Sequence, residues 1–75
     1  MKKYKDSSGT SGIIAYEIDA TSIKVKFIPG AVYKYSYNKP GKLHVEQMKK
    51  LAKEGRGLAT YISQYVKDAY ESLED

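Results

Sequence analysis

The chain contains no cysteine and only one histidine, His44. Without thiols it can form neither a disulfide nor a thiolate metal site, and one imidazole is too few for a histidine metal site. We therefore expect no metal and no cofactor. The absence of cysteine also fits a reducing compartment, and we expect the cytoplasm.

Long apolar runs are absent as well. The longest uninterrupted stretches are a few residues, far short of the roughly 18 that a membrane span needs. The basic start of the chain lacks the apolar region of a signal peptide. We expect neither membrane insertion nor export.

The chain also lacks the parts of a preorganised active site. Its 75 residues make one small domain with a thin core. No nucleophile motif accompanies His44, and Glu17, Glu46 and Glu54 form no obvious acid–base pair. His44 falls within an apolar helical stripe, where packing is its expected role. These observations predict a protein that is not an enzyme.

Charge is distributed unevenly along the sequence. The net charge is +4, but residues 1–57 contain twelve basic and five acidic residues, whereas residues 58–75 carry a charge of −3. A basic body favours an anionic partner. The alternative is that the lysines serve only solubility.

The chain divides into a polar start and one domain. Residues 1–12 are rich in lysine, serine and glycine and are predicted to be a mobile segment, and residues 13–75 form the domain. Within it, residues 13–18, 22–28 and 32–37 show strand patterns. In the second of these, Ile23, Val25 and Phe27 alternate with Lys24 and Lys26.

The register between the second and third strands follows from side-chain parity. A loop of Pro29, Gly30 and Ala31, with Gly30 free to adopt a positive φ, keeps the apolar side chains on one face. The resulting pairs are Phe27 with Tyr33, Val25 with Tyr35, and Ile23 with Tyr37. The same register places Lys26 opposite Lys34. On the other side, the predicted pairs are Ile18 with Ile23, Glu17 with Lys24, Tyr16 with Val25, and Ile14 with Phe27.

Two helices are predicted to cover the apolar face. Pro40 suits a first helical position, and Gly55 suits the end of that helix. A second helix begins near Gly57 and runs toward the C-terminus, where acidic residues favour fraying of its last turn. Its predicted apolar stripe is Leu58, Ile62, Tyr65, Val66, Ala69 and Leu73. The sequence predicts an α+β fold, a three-stranded antiparallel meander in the order 1-2-3 with two helices packed on one face.

The order β-β-β-α-α and several residues resemble the KTSC domain family over residues 8–65. The matching positions are the serine-rich start before Ile13, Tyr16, Phe27, Gly30, Tyr33, Tyr35, Pro40, Gly55, Ile62 and Tyr65. The family is named for a module at the C-terminus of some lysyl-tRNA synthetases and includes stand-alone bacterial proteins. The resemblance implies this fold. The function of the family is unsettled, and RNA binding is a suggestion for it that Ser63 and the acidic end weaken here, because both depart from the family's basic residues.

Two alternatives stand for each candidate site. Tyr33, Tyr35 and Tyr37 could stack bases or form the core, and the register favours the core, with Tyr35 more buried than Tyr37. Arg56, between two glycines, could hold a phosphate or lie in a plain helix connection. The lysine faces could bind phosphates or be solvated surface. The candidate nucleic-acid-binding residues are Lys24, Lys26, Lys34, Tyr37, Lys42, Lys49, Lys53 and Arg56.

Two classes of function remain. The favoured hypothesis is a small nucleic-acid-binding module, with RNA as the expected ligand, that acts through backbone contacts from its lysines. The rival is a protein–protein adaptor that recruits another chain through an exposed sheet edge or an apolar rim around Tyr61 and Tyr70. Salt dependence separates them, because phosphate contacts weaken with salt and apolar contacts do not.

Overall fold

The computed structural model describes residues 1–5, 12–28 and 30–74. It contains one antiparallel sheet of five strands in sequence order: β1 Lys2–Lys3, β2 Ile13–Ile18, β3 Ser22–Phe27, β4 Val32–Ser36 and β5 Ser72–Glu74. Between β4 and β5 lie helix α1 (Lys42–Glu54) and helix α2 (Leu58–Tyr61), which continues as a π-helical segment, Ile62–Val66. The α+β class is confirmed, but the predicted three strands understate the sheet.

The first extra strand, β1, comes from the segment predicted to be mobile. Lys2 pairs with Tyr16 and Lys3 pairs with Ala15. The next residue, Tyr4, is 3% exposed and belongs to the core. The first five residues are thus part of the folded domain. Residues 1–12 were predicted to be mobile, and residues 6–11 of that segment lie outside the described residues.

The second extra strand, β5, replaces the end of the predicted second helix. The helix ends because Lys67, with φ 36° and ψ −109°, leaves the helical region. Its stripe was therefore predicted wrongly beyond Val66: Leu73 lies in β5 and is half exposed. Tyr65, also placed in the stripe, faces solvent. Acidic residues are unfavourable at a helix C-terminus, whereas the open edge of β4 offers them hydrogen bonds and lysines.

The register of β2 with β3 is confirmed at Ile18 with Ile23, Glu17 with Lys24 and Tyr16 with Val25. It fails at Ile14, where a β-bulge adds one residue to β2. Ile13 takes the place opposite Phe27, and Ala15 lies opposite Lys26. Because the extra residue reverses the alternation, Ile13 is buried and Ile14 is exposed.

The register of β3 with β4 differs from the prediction by two residues. Tyr33 lies opposite Val25, Tyr35 opposite Ile23, and Lys34 opposite Lys24. The amide of Phe27 donates to the carbonyl of Ala31 at 2.8 Å, so the connection spans residues 28–30 instead of 29–31. A shift of two residues keeps every side chain on its predicted face, which is why parity could not detect it.

The core lies between the inner face of the sheet and the helices. Its largest fully buried side chains are Tyr35, Ile23, Met48, Leu58, Val25 and Val45. Tyr35 is 1% exposed and Tyr37 is only half-buried, which confirms their predicted order. Among the described residues, no helix has the length and apolar character that crossing a membrane requires.

The ends of α1 follow the predicted signals only in part. Gly55 ends the helix in the left-handed conformation, as predicted, and its amide donates to the carbonyls of Leu51 and Ala52. Pro40 was wrongly predicted to be the first helical residue. It instead bridges to Ser36, and the helix begins two residues later, after Gly41.

Candidate nucleic-acid interface and the acidic C-terminal strand

The outer face of the sheet carries three of the predicted phosphate contacts, Lys24, Lys26 and Lys34. The prediction that Lys26 faces Lys34 is wrong because of the register shift: Lys24 faces Lys34, and Lys26 faces Val32. Like charges directly opposite each other are unfavourable on a sheet. This pair therefore needs counterions, and the structure supplies them from within the chain.

The counterions are two glutamates at the C-terminal end. Lys34 Nζ lies 3.6 Å from Glu71 Oε2, and Lys24 Nζ lies 3.4 Å from Glu74 Oε1. The Ser36 hydroxyl also donates to the Glu71 carboxylate. This hydrogen bond, with the charge of Lys34, holds the pKa of Glu71 below its ordinary value. Two of the three lysines are thus already neutralised.

Lys49, predicted to lie on a solvated helix face, is buried at 8% exposure. Its ammonium group donates to the Ala20 carbonyl at 3.1 Å and lies 2.9 Å from Glu46 Oε2. Because this contact ties α1 to the turn between β2 and β3, Lys49 is not available to a ligand. Its charge serves the fold.

Tyr37 belongs to the same cluster. Its hydroxyl donates to Glu46 Oε2 at 2.6 Å, and the ammonium groups of Lys49 and Lys42 lie 5.5 and 5.8 Å from its ring centre. The hydrogen bonds from Tyr37 and Lys49 lower the pKa of Glu46. Contact with Glu46 in turn raises the pKa of Tyr37. The tyrosine therefore holds α1 against the end of β4.

The tyrosines of β4 do not form a stacking platform on the outer face. Tyr33 and Tyr35 point toward the helices, where the ring of Tyr33 packs edge-to-face on Phe27 and on Tyr70 at centroid distances of 5.4 and 4.8 Å. Burial raises the pKa of the Tyr35 hydroxyl well above its ordinary value. With Tyr16, which is 7% exposed, these residues are structural.

The predicted rim around Tyr61 and Tyr70 is not one surface. Tyr70 packs on Tyr33 and Tyr35, whereas the Tyr61 hydroxyl lies 2.7 Å from His44 Nδ1. His44 is thus half-buried and hydrogen-bonded, in agreement with a packing role. The rings of Tyr61 and Tyr65 lie 4.7 Å apart, and Tyr65 is 62% exposed.

Arg56 does not open a helical phosphate site. Helix α2 has only four residues before the π-helical segment, and its first amide, that of Leu58, donates to the Tyr4 hydroxyl at 3.4 Å. Arg56 itself is exposed beside Gly55. The contacts of the neighbouring Gly55 with Lys5 and of Leu58 with Tyr4 were not foreseen, because Tyr4 and Lys5 come from the first residues of the chain.

Four cations lie around the C-terminal end of α1, a region we call the basic end. Lys53 and Lys2 line one groove of about 590 Å³ with Tyr16 and Glu17. Lys5 packs against Gly55: a Cβ built on that glycine would lie 2.8 Å from the Lys5 Cβ. The basic end therefore comprises Lys2, Lys5, Lys53 and Arg56. Sequence reasoning missed Lys2 and Lys5 because they fell in the segment predicted to be mobile.

Sequence reasoning also missed Glu71 and Glu74, although the charge of −3 over residues 58–75 was a usable signal.

In the described part of the chain, no group of three or more His, Asp or Glu side chains could hold a metal ion. No protein-family profile, curated protein or solved structure matches this chain. Membership of the KTSC family therefore stays a prediction.

Proposed function

We propose that this chain is a small non-catalytic module that binds RNA through the phosphate backbone, using the basic end. The observation that supports it is the convergence of Lys2, Lys5, Lys53 and Arg56 at one end of α1. None of the four forms an ion pair with another described residue. Unpaired, solvent-facing cations are what phosphate binding requires.

The basic end replaces the lysine faces expected from the sequence. Lys24 and Lys34 are paired with glutamates and Lys49 is buried, so these three contribute little. Since the tyrosines of β4 face inward, stacking on bases adds nothing from the outer face of the sheet. Binding should therefore be independent of base sequence and should weaken steeply with salt.

The test is the affinity for a labelled mixed-sequence RNA, measured by fluorescence anisotropy between ~50 and ~200 mM salt. We expect Lys53→Glu to weaken binding and to reduce the salt slope. Lys50→Glu is the matched control, because Lys50 is an exposed lysine of the same helix and the change in net charge is identical. Equal effects of the two variants, or no binding at low salt, would reject the basic end as the RNA-binding site.

A protein–protein adaptor is the second candidate. It is favoured by two exposed apolar side chains, Leu43 at 80% and Tyr65 at 62% exposure. Binding of a protein through these side chains would be little affected by salt. Double substitution of Leu43 and Tyr65 by serine would then abolish it, whereas Lys53→Glu would leave it intact.

The cytoplasm is the compartment we propose, supported by the lack of cysteine.

A further inference from the structure

We propose that the edge of β4 is a binding site for an extended acidic segment of another protein, and that the chain's own residues 70–74 occupy it as a built-in competitor. The site lies on the strand and lysines that β5 covers. It is separate from the basic end and does not depend on RNA binding. Three sets of contacts define what fits the site.

The first set is the backbone pairing. The amide of Glu71 donates to the Lys34 carbonyl at 2.6 Å. Further along, Ser72 pairs with Lys34, Leu73 with Tyr33 and Glu74 with Val32, all antiparallel. An extended segment of about four residues therefore completes the sheet at this edge, as in recognition by strand addition.

The second set holds an aromatic side chain. The ring of Tyr70 packs edge-to-face on Tyr33 at 4.8 Å and on Tyr35 at 6.4 Å between centroids. Edge-to-face pairs of this kind add a directional preference to apolar burial. The site thus selects an aromatic residue immediately before the paired strand.

The third set selects charge. Lys34 and Ser36 contact the carboxylate of Glu71, and Lys24 contacts that of Glu74. A segment that fits carries an aromatic residue, an acidic residue directly after it, and a second acidic residue three positions later. Lys26 has no ion-pair partner among the described residues, so it can meet a further acidic residue of a longer partner.

Residues 70–74 are held weakly enough to be displaced. The Glu71 and Glu74 side chains are 36% and 45% exposed, and ion pairs at such exposure contribute little. Before them, Lys67 adopts a positive φ of 36°, which is unfavourable for a residue with a side chain. A short strand with solvated contacts opens more readily than the core strands.

The test is an amide-shift titration of the full chain carrying Glu71→Gln and Glu74→Gln, which weakens the competitor and leaves its backbone pairing. The probe is a synthetic peptide with the sequence of residues 69–75. We expect saturable shifts at Val32–Ser36. The substituted chain should bind the peptide about tenfold more tightly than the unsubstituted chain does. In the unsubstituted chain the attached segment keeps both glutamates and competes with the peptide at an effective concentration on the order of millimolar.

Two controls establish specificity. The peptide with glutamine at both glutamate positions should bind weakly to the same protein. A chain with Lys24→Glu and Lys34→Glu should prefer a peptide with lysine at both positions, which a merely structural β5 would not produce. Lys53→Glu should leave peptide binding unchanged, so that failure of this site and failure of the basic end can be told apart.

Three outcomes would overturn the proposal. The first is that the amide shifts of Val32–Ser36 stay unchanged when the peptide is added at millimolar concentration. The second is a mixed-sequence RNA that shifts Val32–Ser36 where the peptide does not, which would assign the lysines to a polyanion. The third is a concentration-dependent dimer, seen by light scattering, in which copies exchange residues 70–74. That result would assign the edge to a second copy of the chain.

Discussion

The two edges of the sheet are both built from the ends of the chain, yet they are held in different ways. At β1 the anchor is Tyr4, 3% exposed, whose ring packs edge-to-face on Tyr16. At β5 the anchor is the half-buried Tyr70, and the strand is otherwise held by backbone pairing with β4 and by partly exposed ion pairs. The first edge is anchored by a buried side chain, and the second by a half-buried side chain that packs against the core.

This difference shows which lysines are available to a ligand, and a count of lysines in the sequence does not show that. Both edges lie beside lysine-rich surfaces, but only β5 brings its own acidic residues. Among the described residues, lysine is therefore unpaired at the basic end, whereas two of the three lysines on the outer face of the sheet are paired with glutamates. Whether a lysine is available to a ligand depends on counterions that can be distant in sequence, as Glu74 is from Lys24.

The largest expected effect is at the anchor of β1. We expect Tyr4→Ala to lower the free energy of unfolding by about 3–5 kcal/mol, as large aromatic deletions in cores do. Urea unfolding measures this change. Tyr65→Ala is the matched control, since Tyr65 is 62% exposed and its loss should cost under ~0.5 kcal/mol. Similar midpoints for the two variants would place Tyr4 outside the core.

A second, smaller effect tests the contact between Lys5, which follows β1, and Gly55 at the end of α1. Gly55 and Gly57 have φ angles of 76° and 80°, so alanine is strained at both, by about 1–2 kcal/mol. Only at Gly55 would the new Cβ also meet the Lys5 Cβ, at 2.8 Å; at Gly57 the nearest atom is 3.6 Å away. We expect Gly55→Ala to be the more destabilising in thermal unfolding. Equal losses would mean that Lys5 does not pack there.

The sequence predicted which side chains of β3 and β4 face the core, because the apolar and charged residues of β3 alternate strictly. Ile23 and Val25 had to face the core, and Tyr35 with them. The exact register of β3 with β4 could not follow from this pattern, since a shift of two residues preserves every face. The bulge at Ile14 was hidden for a related reason: Ile13 and Ile14 are both apolar, so either could point inward.

The edges could not be predicted from local patterns. β1 has two residues, too few to show an alternation. Leu73 continued the helical spacing of Leu58 and Val66, although it lies in a strand. The prediction of the binding residues inherited these errors, because Lys2 and Lys5 of the basic end come from the first edge, and the glutamates that pair with Lys24 and Lys34 come from the second.

The third expected effect is at the anchor of β5. Tyr70→Ala should cost about 1–2 kcal/mol, less than Tyr4→Ala, because the ring is only half-buried and a smaller apolar area is lost. Urea unfolding of the two variants under identical conditions measures the difference. Amide exchange should show Tyr70→Ala opening β5 while β1 stays protected. A loss as large as that of Tyr4→Ala would show that both edges are anchored in the core.

The smallest effect is a dependence of β5 on pH. The hydrogen bond from Ser36 and the charge of Lys34 lower the pKa of Glu71 in the folded chain below its ordinary value of 4.5. A carboxyl group of this kind contributes stability above its unfolded-state pKa, and the contribution is lost as the pH falls through the folded-state pKa. We therefore expect the amides of Ser72–Glu74 to lose protection in acid before those of Lys2–Lys3, which contain no carboxyl group. Glu71→Gln should remove most of this difference, and an unchanged acid response in that variant would show that other carboxyl groups hold the strand.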